Sequence, residues 1–331
     1  MAMYQPNPNR YQSMRYVRLG RSGVRIAPIA LGLWQNFGDD CRYDVCRDTI
    51  CAAFDAGVNH FDLANNYGIP AGAAERTFGR VLAGELAAHR DELFLSSKAG
   101  YTMWEGPFGD HGSKKYLIAS LDQSLRRLGL EYVDLFYHHR PDPETPLEET
   151  AEALEQIVRQ GKALYIGLSN YNAEQTETML AELERRGLRC LIHQMRYSML
   201  SREAEGALFA TLHSHGVASI AFSPLAQGLL TDKYLGGVPE GSRMSLGHTS
   251  LQAADLTPRR VSQLNALNGI AAARGQTLAQ LALSWVLREG GADTLIVGAR
   301  NPGQLNDSLC SLKGEALSAE ELDAVEAILK S

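Results

Sequence analysis

Four residues that together could move a proton stand at or just beyond the ends of short apolar runs. Asp62 and Tyr67 share the stretch FDLANNYG, Lys98 closes LFLSSK, and His139 closes YVDLFYHH. Aspartate is among the poorest strand formers, so its place at the end of a β-like run asks for a reason other than propensity. A phenol with an ordinary pKa of about 10 is too weak an acid for efficient proton transfer at neutral pH. A neighbouring ammonium such as Lys98 favours the phenolate and lowers that value. Lys98 in turn needs a counter-ion, which Asp62 supplies, and His139 can hydrogen-bond a carbonyl and hold it against Tyr67. Such a set suits protonation of a carbonyl oxygen while hydride arrives at its carbon. No side chain carries hydride, so a nicotinamide cofactor is required.

The elements that must bring these residues together are legible in the pattern. After a hairpin-like start, MRYVRLGRSGVRIA, candidate strands fall at 29–33, 58–64, 93–98, 132–138, 163–169, 190–194, 218–223 and 294–299. They are apolar, β-branched or aromatic with little alternation, as expected of parallel strands buried on both faces. Helical segments lie between them. PLEETAEALEQIVRQG, for example, has an early proline, early glutamates and a closing glycine, the usual start and stop chemistry. The alternation predicts a (β/α)8 TIM barrel with an N-terminal β-hairpin, as one domain over residues 1–331. A doubly wound sheet would carry a glycine-rich first turn, and no GxG occurs in the chain. P-loop and HExxH motifs are absent as well. The longest irregular stretch, PLAQGLLTDKYLGGVPEGSRMSLGHTS, follows the seventh barrel strand; loops of this length are usually functional. In a barrel the strand ends converge on one mouth, and here they present Asp62, Lys98, His139, Ser169, Asn170, Gln194 and Ser223.

With 331 residues and a formal net charge of −6, the chain offers no broad basic surface for nucleic acid. No apolar run is long enough to span a membrane, and MAMYQPNPNRYQSM has no apolar secretory core. The five cysteines, at 41, 46, 51, 190 and 310, fit no metal-ligand spacing. Reduced thiols in a cytoplasmic protein without a metal is the expectation.

Across essentially its whole length the sequence resembles the aldo-keto reductases. FDLANNYG, SSKAG and DLFYHH match that family's Asp, Tyr, Lys and His tetrad, which implies catalytic roles for Asp62, Tyr67, Lys98 and His139. GLWQNFG, YTMWEGPFG, SLDQSLRRLGLEYVD, GKALYIGLSNY, SPLAQGLLTDKYL, VPEGSRM and LALSWVLR resemble one subgroup closely. It holds bacterial L-glyceraldehyde 3-phosphate reductases and, more distantly, the β subunits of voltage-gated potassium channels. The resemblance implies NADPH/NADP+ as cofactor. Ser169, Asn170 and Gln194 match positions that hold the nicotinamide carboxamide, and Tyr197 matches the aromatic on which the ring stacks. Ser223, Leu225, Gln227 and Gly228, with Lys233 and Arg243, match the segment that folds over the pyrophosphate and ribose. Gly298, Arg300 and Gln304 match the adenosine end. A loop–helix junction carrying Arg300 suits a phosphate on physical grounds also, combining fixed charge with helix N-terminal amides, and so favours NADPH over NADH. Many relatives have Glu-Asn where this chain has Asp307 and Ser308, which weakens the match to adenine there.

Trp34, which is also placed with the cofactor residues, joins Tyr101, Met103 and Trp104 as expected walls of the substrate pocket, and Arg140 is a candidate contact for an anionic group. Small polar aldehydes of the L-glyceraldehyde 3-phosphate or methylglyoxal type are the implied substrates, and a homo-oligomer, tetramer or octamer, the implied assembly. An alternative function is a nucleotide-sensing regulatory subunit resembling the channel β subunits. Those relatives replace the tetrad histidine by asparagine, whereas His139 is kept here. A second alternative makes Lys98 a Schiff-base nucleophile, which pairing with Asp62 disfavours by holding the amine protonated.

Overall fold

Ten short strands and ten α-helices make up the regular structure of residues 4–238 and 255–331, the parts that the computed structural model describes. The first two strands, β1 (Val17–Arg18) and β2 (Arg25–Ile26), pair antiparallel as the expected hairpin. The other eight are β3 (Ile29–Gly32), β4 (His60–Asp62), β5 (Phe94–Ala99), β6 (Val133–His138), β7 (Ala163–Ser169), β8 (Cys190–Arg196), β9 (Ala218–Phe222) and β10 (Thr294–Val297). All pair in parallel in sequence order, and β10 closes the ring by pairing with both β9 and β3. The fold is a (β/α)8 barrel. Every run expected to be a barrel strand is one, and β8 continues two residues beyond its expected end.

The helices follow from local chemistry. Helix α3 (Lys114–Leu128) starts where Ser113 caps the amide of Tyr116 and stops where Gly129 turns left-handed. Helix α5 (Ala173–Arg185) opens on a reciprocal Asn172–Gln175 capping box. The others are α1 (Tyr43–Asp55), α2 (Ala73–Ala83), α4 (Leu147–Arg159), α6 (Ala207–His215), α7 (Pro258–Ala273), α8 (Leu278–Val286), α9 (Pro302–Cys310) and α10 (Ala319–Lys330). Their apolar faces build one large core against the outside of the barrel. A smaller cluster fills the interior, with Ala30, Phe94, Leu135, Tyr137, Ile192, Ile220 and Ile296 from the strands. Leu19 and Ile26 of the hairpin segment join that inner cluster, both fully buried. The hairpin thus plugs the N-terminal end, and chemistry is left to the C-terminal mouth.

Strand parity decides which polar groups reach that mouth. On β5, Phe94, Ser96 and Lys98 share the inward face. Ser97 points the other way, donating to Glu75 on α2 at 2.7 Å, and Glu75 is paired on its far side with Arg127 of α3. Inward polar groups begin at the level of Phe94 itself: His60, its register partner, shares the parity of Asp62 and lies with its Nε2 3.1 Å from Ser96 Oγ.

Candidate active site

The mouth opens into a cavity of about 810 Å³ lined by residues from most of the βα loops. Its floor is the Asp62–Lys98 pair. The Lys98 ammonium is fully buried and spends its three protons on Asp62 Oδ2 at 2.6 Å, the Leu63 carbonyl at 2.7 Å and Tyr67 Oη at 3.2 Å. Asp62 is fixed from its other oxygen by Ser96 Oγ at 2.8 Å and Gln194 Nε2 at 3.1 Å. Because Lys98 donates to the phenol oxygen, the phenol's own proton must point away from it. Away from Lys98 lies the cavity, which Tyr67 lines.

Burial sets the protonation states. It raises the Tyr67 pKa well above its ordinary value, with the Asp62 charge acting in the same direction. The lowering expected from Lys98 is therefore outweighed: an ammonium whose charge is largely answered by Asp62 cannot offset the loss of solvation, and the phenol stays protonated. Burial likewise lowers Lys98, against the pull of Asp62. His139 is driven well below its ordinary value by burial first and by Lys98 next, so its imidazole is neutral at neutral pH. Its Nδ1 is buried without a partner among the described residues, and its ring packs edge-on to Tyr101 at 4.7 Å and to Tyr67 at 5.9 Å. A protonated phenol and a neutral imidazole on one wall can both serve a carbonyl oxygen.

Strain concentrates at this place. Among the non-glycine residues with positive φ, Asn36, Asn170, Ser223 and Gln227 all line the cavity. Backbone held in such conformations persists where surrounding structure enforces it, and gathers at ligand sites. The cavity extends from Tyr67 and His139 past the strand-nine loop to Gly298, Arg300 and Gln304. At that end Asn301 caps α9 through the amide of Gln304, and the Gln304 side chain accepts from the Arg300 amide at 2.9 Å.

A family model for the aldo/keto reductase family matches residues 28–330. The chain belongs to the aldo/keto reductase family. It is 49% identical over 326 residues to an L-glyceraldehyde 3-phosphate reductase of Escherichia coli O157:H7, covering 97% of this chain and 94% of that protein. The protein of the same description from strain K12 is 48% identical with the same coverage. A probable voltage-gated potassium channel subunit beta from Oryza sativa subsp. japonica is 34% identical over 325 residues, 96% of this chain and 97% of the relative. This aldo/keto reductase is accordingly an oxidoreductase.

The reductase's cavity gathers most of the residues singled out from sequence. Asp62, Tyr67 and His139 line it, with Lys98 directly beneath. So do Trp34, Tyr101, Asn170, Gln194, Ser223, Leu225, Gln227, Gly228, Lys233, Gly298, Arg300, Gln304, Asp307 and Ser308. Arg243 lies outside the described residues. Ser169 is fully buried behind Asn170, whose amide donates to Ser169 Oγ at 3.1 Å and to the His139 carbonyl at 2.9 Å.

Four residues stand elsewhere. Tyr197 is fully buried, stacked on Trp285 at 5.5 Å with its hydroxyl bonded to Glu205 and Arg288. It follows Arg196 by one residue, so it faces the opposite side of the strand from Gln194 and offers the cavity no ring face. Phe222 does, sharing the inward parity of Ala218 and Ile220 on β9. Met103 and Trp104 are not among the lining residues; Trp104 packs on Tyr116 at 5.2 Å. Arg140 is engaged by Asp110 at 2.8 Å and the Gly100 carbonyl at 2.6 Å, with its guanidinium over the Tyr101 ring. Arg196 also lines the cavity, and the sequence held a signal for it: two residues beyond Gln194 on one strand is the same face.

No group of His, Cys, Asp and Glu among the described residues could hold a metal ion, and no described helix is long and apolar enough to cross a membrane. Lys98 is also a poor candidate for an imine, since its nitrogen is enclosed and its three protons are all accepted.

Proposed function

We propose that this oxidoreductase is an NADPH-dependent reductase of small polar aldehydes, L-glyceraldehyde 3-phosphate and methylglyoxal among them, with Tyr67 as proton donor. The observation that carries this reading is the Lys98 hydrogen bond to Tyr67 Oη at 3.2 Å, which turns a protonated phenol toward a cavity also lined by His139. Bound NADPH supplies the hydride that reduces the carbonyl carbon. The phenol gives its proton to the carbonyl oxygen, and the phenolate left behind is met by the ammonium already in place. Catalytic electrostatics of this kind need no reorganisation at the moment of reaction. Asp62 keeps Lys98 charged, and His139 steers the oxygen as a neutral hydrogen-bonding group.

The residues present fit the cofactor. The cavity is long enough to join the Tyr67 wall to the α9 N-terminus, where Arg300 and Gln304 would hold a 2′-phosphate and the helix amides favour an anion. Asp307 and Ser308 would flank the adenine, although Asp307 already accepts from Gln280 at 2.7 Å. Asn170 and Gln194 would hold the carboxamide with Ser169 supporting Asn170, and Phe222 would take the stacking place expected of Tyr197. Leu225, Gln227, Gly228 and Lys233 would cover the pyrophosphate and ribose. Trp34 and Tyr101 would wall the substrate. The reductase would work in the cytoplasm as a homo-oligomer. The likeness to two bacterial L-glyceraldehyde 3-phosphate reductases supports the phosphorylated aldehyde. Oxidation of NADPH followed at 340 nm with a panel of short aldehydes, with and without phosphate, tests the reading; no turnover with any of them would refute it.

A further inference from the structure

A phosphorylated aldehyde needs a cation near the carbonyl-binding wall, and the charged residues of the mouth are not equivalent. Arg140, the candidate from sequence, is taken by Asp110 and lies outside the cavity lining. Lys98 is sealed beneath the floor. Arg300 sits at the far end beside Gln304, where it suits the cofactor. Arg196 is different. It ends β8, the strand whose Gln194 touches Asp62 across the barrel, and it stands two residues further out on the same face. At about 3.3 Å per residue its backbone lies roughly 7 Å above Gln194 toward solvent. Its side chain is exposed, and among the described residues it makes no ion pair and no side-chain hydrogen bond.

Arg196 also borders a second cavity, of about 260 Å³, that shares Ser223 and Gln227 with the first and is lined further by Ser201 and Arg260. Asp255 lines this side cavity together with Arg260. Among the described residues Arg196 is a guanidinium without a carboxylate partner, where the linings of two cavities meet, beside hydroxyl and amide groups. Guanidinium presents paired N–H donors in the geometry that phosphate oxygens accept.

We infer that Arg196 is the phosphate-recognising residue of the substrate site, seating a phosphate monoester at the junction of the two cavities while the aldehyde reaches Tyr67 and His139. The inference rests on the reductase reading above and deepens it: among small polar aldehydes, those with phosphate on the carbon chain would be preferred over bare ones.

The test is Arg196→Gln, with Arg196→Lys as the charge-conserving control. kcat/KM is measured for glyceraldehyde 3-phosphate and for glyceraldehyde under saturating NADPH, and calorimetry gives the Kd of glycerol 3-phosphate and of glycerol on the NADP+-loaded protein. The ratio of kcat/KM between phosphorylated and plain aldehyde should fall by about ten- to a hundredfold in Arg196→Gln, mostly through KM, as expected for losing a charge-assisted contact. The Kd of glycerol 3-phosphate should weaken by a similar factor, and Arg196→Lys should recover part of both. An unchanged ratio and an unchanged glycerol 3-phosphate Kd would overturn the inference. A weaker NADPH Kd with an unchanged ratio would also overturn it, by assigning Arg196 to the cofactor's pyrophosphate. If the wild type reduced no aldehyde, the reductase reading would fail by itself, while glycerol 3-phosphate binding would still decide whether Arg196 holds the phosphate.

Discussion

Replacing Lys98 by Met should separate the two tasks that its ammonium performs. The group is fully buried and joins Asp62, the Leu63 carbonyl and Tyr67. Its removal leaves the Asp62 carboxylate, only 2% exposed, with Ser96 and Gln194 as its remaining donors, both on the other oxygen. Breaking a buried pair on one side typically destabilises by about 3–5 kcal/mol, because an uncompensated charge stays behind. Lys98→Met should therefore unfold at markedly lower urea concentration. Adding Asp62→Asn removes the stranded charge, so the double variant should recover most of that stability. Turnover should behave differently. Without the ammonium nothing meets the phenolate, and both variants should lose at least about 10² in kcat, the lower end of what a positioned general acid contributes. Urea midpoints and NADPH consumption on the same preparations provide the comparison. If the double variant regained turnover along with stability, the kinetic role given to Lys98 would be refuted. If Lys98→Met alone cost less than about 1 kcal/mol, far below that expected for a broken buried pair, the electrostatic account of the floor would fail.

Other outcomes follow from the same geometry. NADPH should bind about ten- to over a hundredfold more tightly than NADH, and Arg300→Ala should remove most of that preference; equal Kd values before and after would show that Arg300 does not meet the 2′-phosphate. His60, His138 and His193 are each lowered by burial to about 4. Since the unfolded chain takes up these protons near pH 6.5, stability should be fully present above 6.5 and fall as pH drops toward 4, by on the order of 3 kcal/mol per histidine. Urea midpoints that stayed flat between pH 7 and 4.5 would contradict that burial argument. Light scattering should return an oligomer, and a 36.2 kDa monomer at micromolar concentration would reject it.

The barrel was legible because parallel strands covered on both faces read as unbroken apolar runs, and the polar residues that interrupt them fall where the loops begin. The same interruptions exposed Asp62, Lys98, His139 and Gln194. What failed was side-chain direction near strand ends. Tyr197 just beyond β8 and Phe222 at the end of β9 are both aromatic, but strand parity sends the first outward onto Trp285 and the second inward. Loop residues carry no such periodicity, so Trp104 and Met103 could not be told from wall residues by spacing. Arg140 was lost to Asp110, a partner 30 residues away in sequence. Arg196 was missed because the expected strand stopped at Gln194. The rise in the Tyr67 pKa was not legible either, since the depth of burial that outweighs Lys98 is a property of the folded mouth.

The central claim is that Tyr67 delivers the proton, and Tyr67→Phe tests it most directly. The ring and its packing are kept, so the variant should fold and its NADPH Kd should stay within about twofold, since the hydroxyl is assigned no cofactor contact and 1.4 kcal/mol would be needed for tenfold. Turnover with glyceraldehyde 3-phosphate should fall by about 10² to 10⁴, the range for losing a general acid. A variant that bound NADPH normally and kept more than about a tenth of wild-type turnover, far above that range, would mean that another group protonates the carbonyl oxygen.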